Sequence, residues 1–163
     1  MAIDIVSLNP LERGQLHVMR LRALISSAVL LVPAIALPLF VFADELEMLD
    51  VPLWLPALAA ALIGCWMVLS AGRRWRRWGY AFTGRELHVA HGWLVHVHTI
   101  VPVSRVQHID VSQGAFERIF GVSTLSLHTA GTEASVVVLP GVTRDTAEDI
   151  RDAIRIQIGS LDA

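Results

Sequence analysis

The sequence predicts a two-helix membrane hairpin followed by a small, mainly β domain, either a barrel or paired sheets, that is capped by a C-terminal α-helix. Three observations support this fold class. Two uncharged apolar runs of about 20 residues each follow one another in the first half, and this length matches the hydrocarbon core of a bilayer. The second half alternates apolar and polar residues with period two between turn residues. The last segment carries an apolar stripe with helical period.

The two apolar runs predict transmembrane helices at residues 23–43 and 51–72, joined by an acidic extracytoplasmic loop at 44–50. Residues 1–22 form a short N-terminal segment, and the soluble domain occupies 73–163. A cleaved signal peptide is the alternative interpretation of the first run, but its apolar core exceeds the usual 7–15 residues. Neither run contains an ionisable acidic or basic residue, so we do not expect an ion or proton path through the bilayer.

Small residues within the second run predict a close contact between the two helices. Ala60 and Gly64 are four residues apart and therefore lie on one helix face, a spacing that favours close packing in membranes. Pro33 and Pro38 predict a kink in the first helix. The single cysteine, Cys65, excludes an intramolecular disulfide.

The distribution of arginine predicts the orientation of the hairpin. Basic residues precede the first run and follow the second, whereas the loop at 44–50 has none. The positive-inside rule therefore places both termini in the cytoplasm of a multi-pass membrane protein. The net charge is only −2, which gives no indication of a nucleic-acid partner.

A dense group of basic and aromatic residues follows the second run. We call it the collar; it consists of Arg73, Arg74, Trp75, Arg76, Arg77 and Trp78. Arginines attract anionic lipid headgroups, and tryptophan prefers the membrane interface. The collar is therefore interpreted either as a plain anchor or as a site that selects an anionic lipid headgroup. A nucleic-acid interpretation is disfavoured because the collar adjoins a membrane helix.

Period-two alternation and turn residues predict six or seven strands in the soluble half. The six with clear bounds lie at 80–83, 86–90, 93–101, 105–112, 124–129 and 134–139. Pro140 and Gly141 are expected to end the last strand. A helix then follows with Thr143 as its N-cap and Gly159 as its end. Its apolar stripe consists of Ala147, Ile150, Ile154 and Ile158.

Histidines are concentrated in the same half: His88, His91, His96, His98, His108 and His128. His96 and His98 share one strand face, so a zinc site with His88 or His108 is geometrically possible, as is a pH-sensing cluster. The spacing matches no ligand motif and no cysteine takes part, so we expect no metal and no cofactor. Without a nucleophile elbow or a Gly-rich phosphate loop, we expect no enzyme and no catalytic residues.

Several motifs of the soluble half occur together in one known family. They are Arg105-Val106-Gln107, Gln113-Gly114, Glu117-Arg118-Ile119-Phe120-Gly121 and Thr129-Ala130-Gly131. With them the chain resembles, over about residues 20–158, the bacterial pleckstrin-homology-like (PH-like) membrane proteins of the YdbS type. The resemblance implies a cytoplasmic PH-like barrel with a capping helix, which follows a two-helix hairpin, and a location in the plasma (inner) membrane. It implies no catalytic residues, and it implies neighbouring copies or subunits.

Two functional hypotheses follow. In the first, the PH-like domain mediates protein assembly at the membrane, with a homo-oligomer or another PH-like membrane protein as partner. Its contact residues are predicted in the strand edges and in the segment that contains Gln113, Glu117, Arg118 and Phe120. In the second, membrane lipids are the partner, and the collar arginines together with Arg85 hold an anionic headgroup.

Overall fold

A computed structural model describes residues 7–40, 52, 54–92, 95–130 and 136–161. The chain divides into two compact units. One contains Met1–Val18 and Arg74–Ala163, and the other contains Met19–Arg73. The predicted acidic loop at 44–50 lies outside the described residues, so the domain bounds that depend on it stay predictions.

The described part of the second unit contains most of two long apolar helices. Helix α1 spans Arg13–Phe40 and α2 spans Leu55–Trp75. Both are long and apolar enough to cross a membrane. Their large apolar side chains point outward, with Val32 67% and Leu69 64% exposed. Helix α1 begins at Arg13, ten residues before the predicted span at 23–43. The ten residues that precede the apolar run are therefore helical as well.

The predicted close contact between the two helices is confirmed. Ala60 and Gly64 are both buried. A Cβ atom added to Gly64 would lie 2.8 Å from the Cβ atom of Ser27, a distance that only a glycine permits. The hydroxyl of Ser27 donates a hydrogen bond to the Ala23 carbonyl within α1, at 2.7 Å, so this side chain is paired within its own helix.

The first unit is built from two antiparallel sheets. The four-stranded sheet has the order β1 to β4 and the three-stranded sheet the order β5 to β7. The strands are β1 (Asn9–Pro10), β2 (Gly79–Phe82), β3 (Glu86–His91), β4 (Val97–Pro102), β5 (Val106–Ser112), β6 (Ser123–Thr129) and β7 (Val136–Val142). A 3₁₀ turn (Val103–Arg105) joins the two sheets, α3 (Ala115–Ile119) follows β5, and α4 (Arg144–Leu161) ends the unit.

The core lies between the inner faces of both sheets and α4. Its buried members are Leu11, Leu87, Val89, Val101, Val103, Val106, Leu125, Leu127, Leu139, Val142, Ala147, Ile150 and Ile154. The predicted stripe of α4 therefore faces the core, with Ile158 packed against it. Thr143 caps α4, since its hydroxyl accepts a hydrogen bond from the Thr146 N–H at 3.1 Å. The predicted fold class is confirmed.

Several details differ from the sequence predictions. Strand β4 begins at Val97 and includes Pro102, whereas the predicted strand begins at residue 93 and ends before that proline. Strand β7 continues through Pro140 and Gly141 to Val142, because an edge strand tolerates proline and Gly141 adopts φ +72 at a register shift. Helix α4 continues past Gly159 to Leu161. The sequence analysis also missed strand β1, which is only two residues long and contains a proline.

Candidate functional site

The residues of the collar differ in their contacts and in their exposure. Trp75 is the last residue of α2, and its indole N–H donates a hydrogen bond to the carbonyl of Glu12 at 3.1 Å. Arg73 and Arg74 are exposed in the last turn of α2. Trp78 stacks on His91, with the ring centres 4.7 Å apart. The two tryptophans are thus held by contacts within the first unit.

The remaining collar residues line a cavity of about 450 Å³, a volume in the range of small-molecule sites. We call this cavity the arginine cleft. Its lining residues are Leu8, Pro10, Arg76, Arg77, Trp78, Gly79, Ala90 and His96. Two arginines and one histidine therefore line a cavity whose other lining residues are mostly apolar.

Strand β1 forms one wall of the cleft. It pairs with β2 so that Pro10 lies opposite Gly79 and Asn9 opposite Tyr80. A Cβ atom added to Gly79 would lie 2.9 Å from the Cβ atom of Leu8, so the absence of a side chain at this position allows the N-terminal segment to lie close. The sequence analysis missed Leu8, Pro10 and His96, because no local pattern joins them to the collar.

Two other groups bear on this region. Arg85 lies in the turn at the opposite end of the β2–β3 hairpin from Gly79, so it does not line the cleft. Partial burial raises the pKa of the Tyr80 phenol above its ordinary value of 10.0, and the nearby Glu12 carboxylate raises it further.

In the predicted contact segment, some side chains make hydrogen bonds within the domain and others are exposed. The side-chain amide of Gln113 donates to the Val122 carbonyl at 2.9 Å. Glu117 is buried, and its carboxylate accepts hydrogen bonds from the Gly114 N–H at 2.9 Å and the Thr124 hydroxyl at 3.2 Å. These two side chains stabilise the turn around α3.

The rest of that segment is more accessible. Phe120 stacks on His17, with ring centres 5.5 Å apart, whereas Arg118 is exposed. Ile119, which the sequence analysis did not select, is 72% exposed. An apolar residue inside a one-turn helix gives no periodic signal from which its exposure could be predicted.

The histidines form two small groups on different sheets. In the first, the His88 Nδ1 atom lies 3.3 Å from the His98 Nε2 atom. The Nε2 atom of His88 lies 3.4 Å from the Glu86 carboxylate. In the second, the two oxygens of Asp110 contact His108 at 2.9 Å and His128 at 3.1 Å. Within the described residues, no group of three or more His, Cys, Asp or Glu side chains is arranged to hold a metal ion.

Strand β7 is an outer strand of the three-stranded sheet, with no strand on its far side in the described part of the chain. Its outward residues Val136 and Val138 are 44% and 43% exposed. The strand contains no charged residue. Backbone groups along an edge of this kind are available to pair with another strand.

Comparisons with known proteins agree with this architecture. A family model described as "Bacterial PH domain" matches residues 21–157. The chain is 29% identical over 153 residues to the transmembrane protein YdbS of Bacillus subtilis (strain 168), which covers 90% of this chain and 89% of YdbS. It is 27% identical over 99 residues to the transmembrane protein YdbT of the same organism, which covers 60% of this chain and 20% of YdbT. No solved structure matches the chain significantly.

These matches settle the class of protein. The two relatives are transmembrane proteins by name, and the chain has two helices able to span a bilayer. The protein is therefore a membrane protein, and its family is not a known family of enzymes. With two long apolar helices and a domain of two antiparallel sheets and a C-terminal helix, the chain belongs to the bacterial PH domain family.

Proposed function

We propose that this protein is a non-enzymatic assembly module of the plasma membrane, in which the hairpin anchors a cytoplasmic PH domain that binds a second copy of the chain. Both termini lie in the cytoplasm in this proposal, as the arginine distribution favours. Confinement to a membrane raises the effective concentration of the domains. A modest contact between them is therefore sufficient for assembly.

One observation carries the proposal, namely the exposed edge of β7. Natural edge strands are usually protected by charged residues, by proline or by a covering element. Strand β7 contains Pro140 toward its C-terminal end, but residues 136–138 are three consecutive valines without a charge, and two of the three are more than two-fifths exposed. Their β-branched side chains favour an extended backbone, which keeps the edge ready for pairing.

A second copy is the occupant that fits this edge best. Two β7 strands related by a two-fold axis run antiparallel, so each N–H meets a carbonyl of the other copy. The pairing brings no like charges together, because the strand has none. Two three-stranded sheets would join into one sheet of six strands.

The test is the oligomeric state of the full-length protein in native mass spectrometry. We expect the wild type to be a dimer, and the double variant V136K/V138K to be a monomer, since lysines facing one another across the axis repel. The control is I156K, which places one lysine, half the added charge of the double variant, on a residue that is 75% exposed on α4 and should leave the dimer intact. A monomeric wild type, or equal dissociation by all these variants, would contradict the proposal.

Two further variants separate the other possibilities. I119K tests the predicted contact segment, because Ile119 is its most exposed apolar residue. If I119K dissociates the oligomer and V136K/V138K does not, assembly uses the segment around α3 instead of β7. If a different membrane protein co-purifies in place of a second copy, the edge binds a partner chain and the homo-dimer is wrong.

The second candidate function is recognition of an anionic lipid headgroup. It is favoured by the arginine cleft, in which Arg76 and Arg77 line one cavity beside Trp78. This function does not exclude assembly, because the cleft and the β7 edge share no residue.

A further inference from the structure

We propose that a cavity between α3 and α4 binds an acidic side chain of a different protein, and that Ile119 packs against an apolar residue next to that side chain. The cavity has a volume of about 250 Å³. We call it the α3–α4 cavity; it is lined by Val111, Ser112, Gln113, Arg118, Ser123, Arg144, Glu148 and Arg151. The proposal does not depend on assembly through β7, because the cavity includes none of residues 136–138.

Charge is the first argument, and it favours a single carboxylate as the ligand. Arg144 and Arg151 pair through their Nε atoms with Glu148 and Asp152, each at 2.8 Å. Arg118 makes no ion pair and no side-chain hydrogen bond within the described part of the chain. Three guanidinium groups and two carboxylates leave one positive charge, which one acidic side chain neutralises. A guanidinium group also matches the two oxygens of a carboxylate with paired N–H donors.

The α3 turn is held in place by contacts within the domain, which is the second argument. The buried Glu117 carboxylate accepts hydrogen bonds from the Gly114 N–H at 2.9 Å and from the Thr124 hydroxyl at 3.2 Å. Arg118 and Ile119 follow directly and complete α3. A partner therefore docks on a backbone that is already ordered, and this lowers the entropic cost of binding.

Ile119 supplies the third argument, because it places an apolar surface next to the cationic one. Its side chain is 72% exposed, and it is the neighbour of Arg118 in the chain. The centres of protein interfaces combine apolar side chains with arginine, which is enriched there. The ligand that fits both residues is a protein segment in which an acidic residue lies close to an apolar one.

Other occupants fit the α3–α4 cavity less well. Val111 is the single apolar residue in the described lining, so no apolar wall is present for a lipid chain. The volume is below the range of about 300–1,000 Å³ that is usual for small-molecule sites. A second copy would bring the same arginines face to face in a two-fold contact centred on the cavity, and like charges would repel.

Photo-crosslinking of the full-length protein in the membrane of its natural host tests the proposal. Ile119 is replaced by the photoreactive amino acid p-benzoylphenylalanine. The matched control carries the same replacement at Ile156, which is 75% exposed on α4 and does not line the cavity. The crosslinked peptides are identified by mass spectrometry. From position 119 we expect one segment of another protein with Asp or Glu within about three residues of the crosslinked residue, a segment that position 156 does not capture.

Charge variants then test the role of Arg118. In the protein labelled at position 119, R118Q should lower the yield of this crosslink about tenfold, the loss expected for one charge-assisted hydrogen bond. R155Q removes the same charge from an exposed residue of α4 outside the cavity and should change the yield less than about twofold. R118E should abolish the crosslink, and a partner whose acidic residue is replaced by lysine should restore it. A fold defect would not be rescued in this way.

Several results would overturn the proposal. They are the absence of a crosslink from position 119, a crosslink to a lipid or to a second copy of the chain, a captured segment without an acidic residue, equal losses for R118Q and R155Q, and failure of the charge exchange to restore the crosslink. Native mass spectrometry separates this surface from the β7 edge. R118Q should remain a dimer, whereas V136K/V138K should lose the dimer and keep the crosslink.

Discussion

Replacement of Gly14 by alanine is expected to destabilise the PH domain, although alanine is the better helix former. Gly14 lies in the first turn of α1. A Cβ atom at this position would overlap the carbonyl oxygen of Phe120 and lie 2.7 Å from the Cγ1 atom of Val122. The carbonyl belongs to the backbone and cannot rotate away, so α1 or the segment after α3 must shift.

The two opposing contributions can be compared. Alanine gains at most about 1 kcal/mol over glycine from helix propensity. Overpacking of a close contact costs about 1–3 kcal/mol, and a clash with backbone lies toward the upper end. We expect G14A to lower the free energy of unfolding of the domain by about 1–2 kcal/mol, which corresponds to a decrease of several degrees in the melting temperature.

Gly159 provides the matched control. It also lies in a helix, α4, but a Cβ atom added to it has no neighbour within 4 Å in the described structure. G159A should therefore stabilise the domain by about 0.5–1 kcal/mol, the amount expected from propensity alone. The sign of the effect thus differs between two glycine-to-alanine changes in helices.

Pulse proteolysis of the full-length protein over a urea series measures both variants. The method reports the fraction of domains that are unfolded at each urea concentration, and it does not require the membrane helices to unfold. If G14A stabilises the domain as much as G159A, the close approach of α1 to Phe120 is wrong. The same result would remove the reason for a glycine at this position.

Three further predictions use the same measurement. Gln15 is buried and its side-chain oxygen has no hydrogen-bond partner among the described residues, so Q15M should raise the free energy of unfolding by about 1 kcal/mol; a loss would mean that this oxygen is paired. E117A should lower the free energy of unfolding by about 1.5–3 kcal/mol, because the buried Glu117 carboxylate accepts hydrogen bonds, one of them from Thr124. An unchanged free energy would show that the turn does not depend on this carboxylate. The pKa of Tyr80 is raised by burial and by Glu12. The resulting stabilisation is fully present below about pH 10, the value in the unfolded chain, and decreases as the pH rises through the folded pKa. Y80F should remove this decrease between about pH 9 and 11, and an unchanged pH profile would exclude Tyr80 as its source.

Much of the architecture could be predicted from local patterns. The apolar runs, the alternating segments and the stripe of α4 each repeat within a few residues, and each repeat reports which face is buried. For this reason the helix contact at Gly64, the N-cap at Thr143 and the core-facing Ile154 agree with the prediction. The errors at Pro140 and Gly159 arose where a residue that usually ends an element was tolerated by its surroundings.

The sites could be predicted only in part. The sequence showed that the collar combines basic and aromatic residues, but it treated all of these residues alike. The fold separates Arg76 and Arg77, which line the cleft, from Arg73 and Arg74, which do not. It also uses Gln113 and Glu117 for hydrogen bonds within the domain, although the sequence analysis had offered them for contacts with another protein.

The sequence by itself therefore determined the class of protein, since hydrophobicity, charge distribution and periodicity are properties of neighbouring residues. Only the tertiary structure decided which residues share a site. The cleft joins Leu8, Arg77 and His96, which are far apart in the sequence and meet because β1 pairs with β2 across the small Gly79. Such contacts depend on the three-dimensional path of the chain, and that path leaves no repeating pattern in the sequence of any one segment.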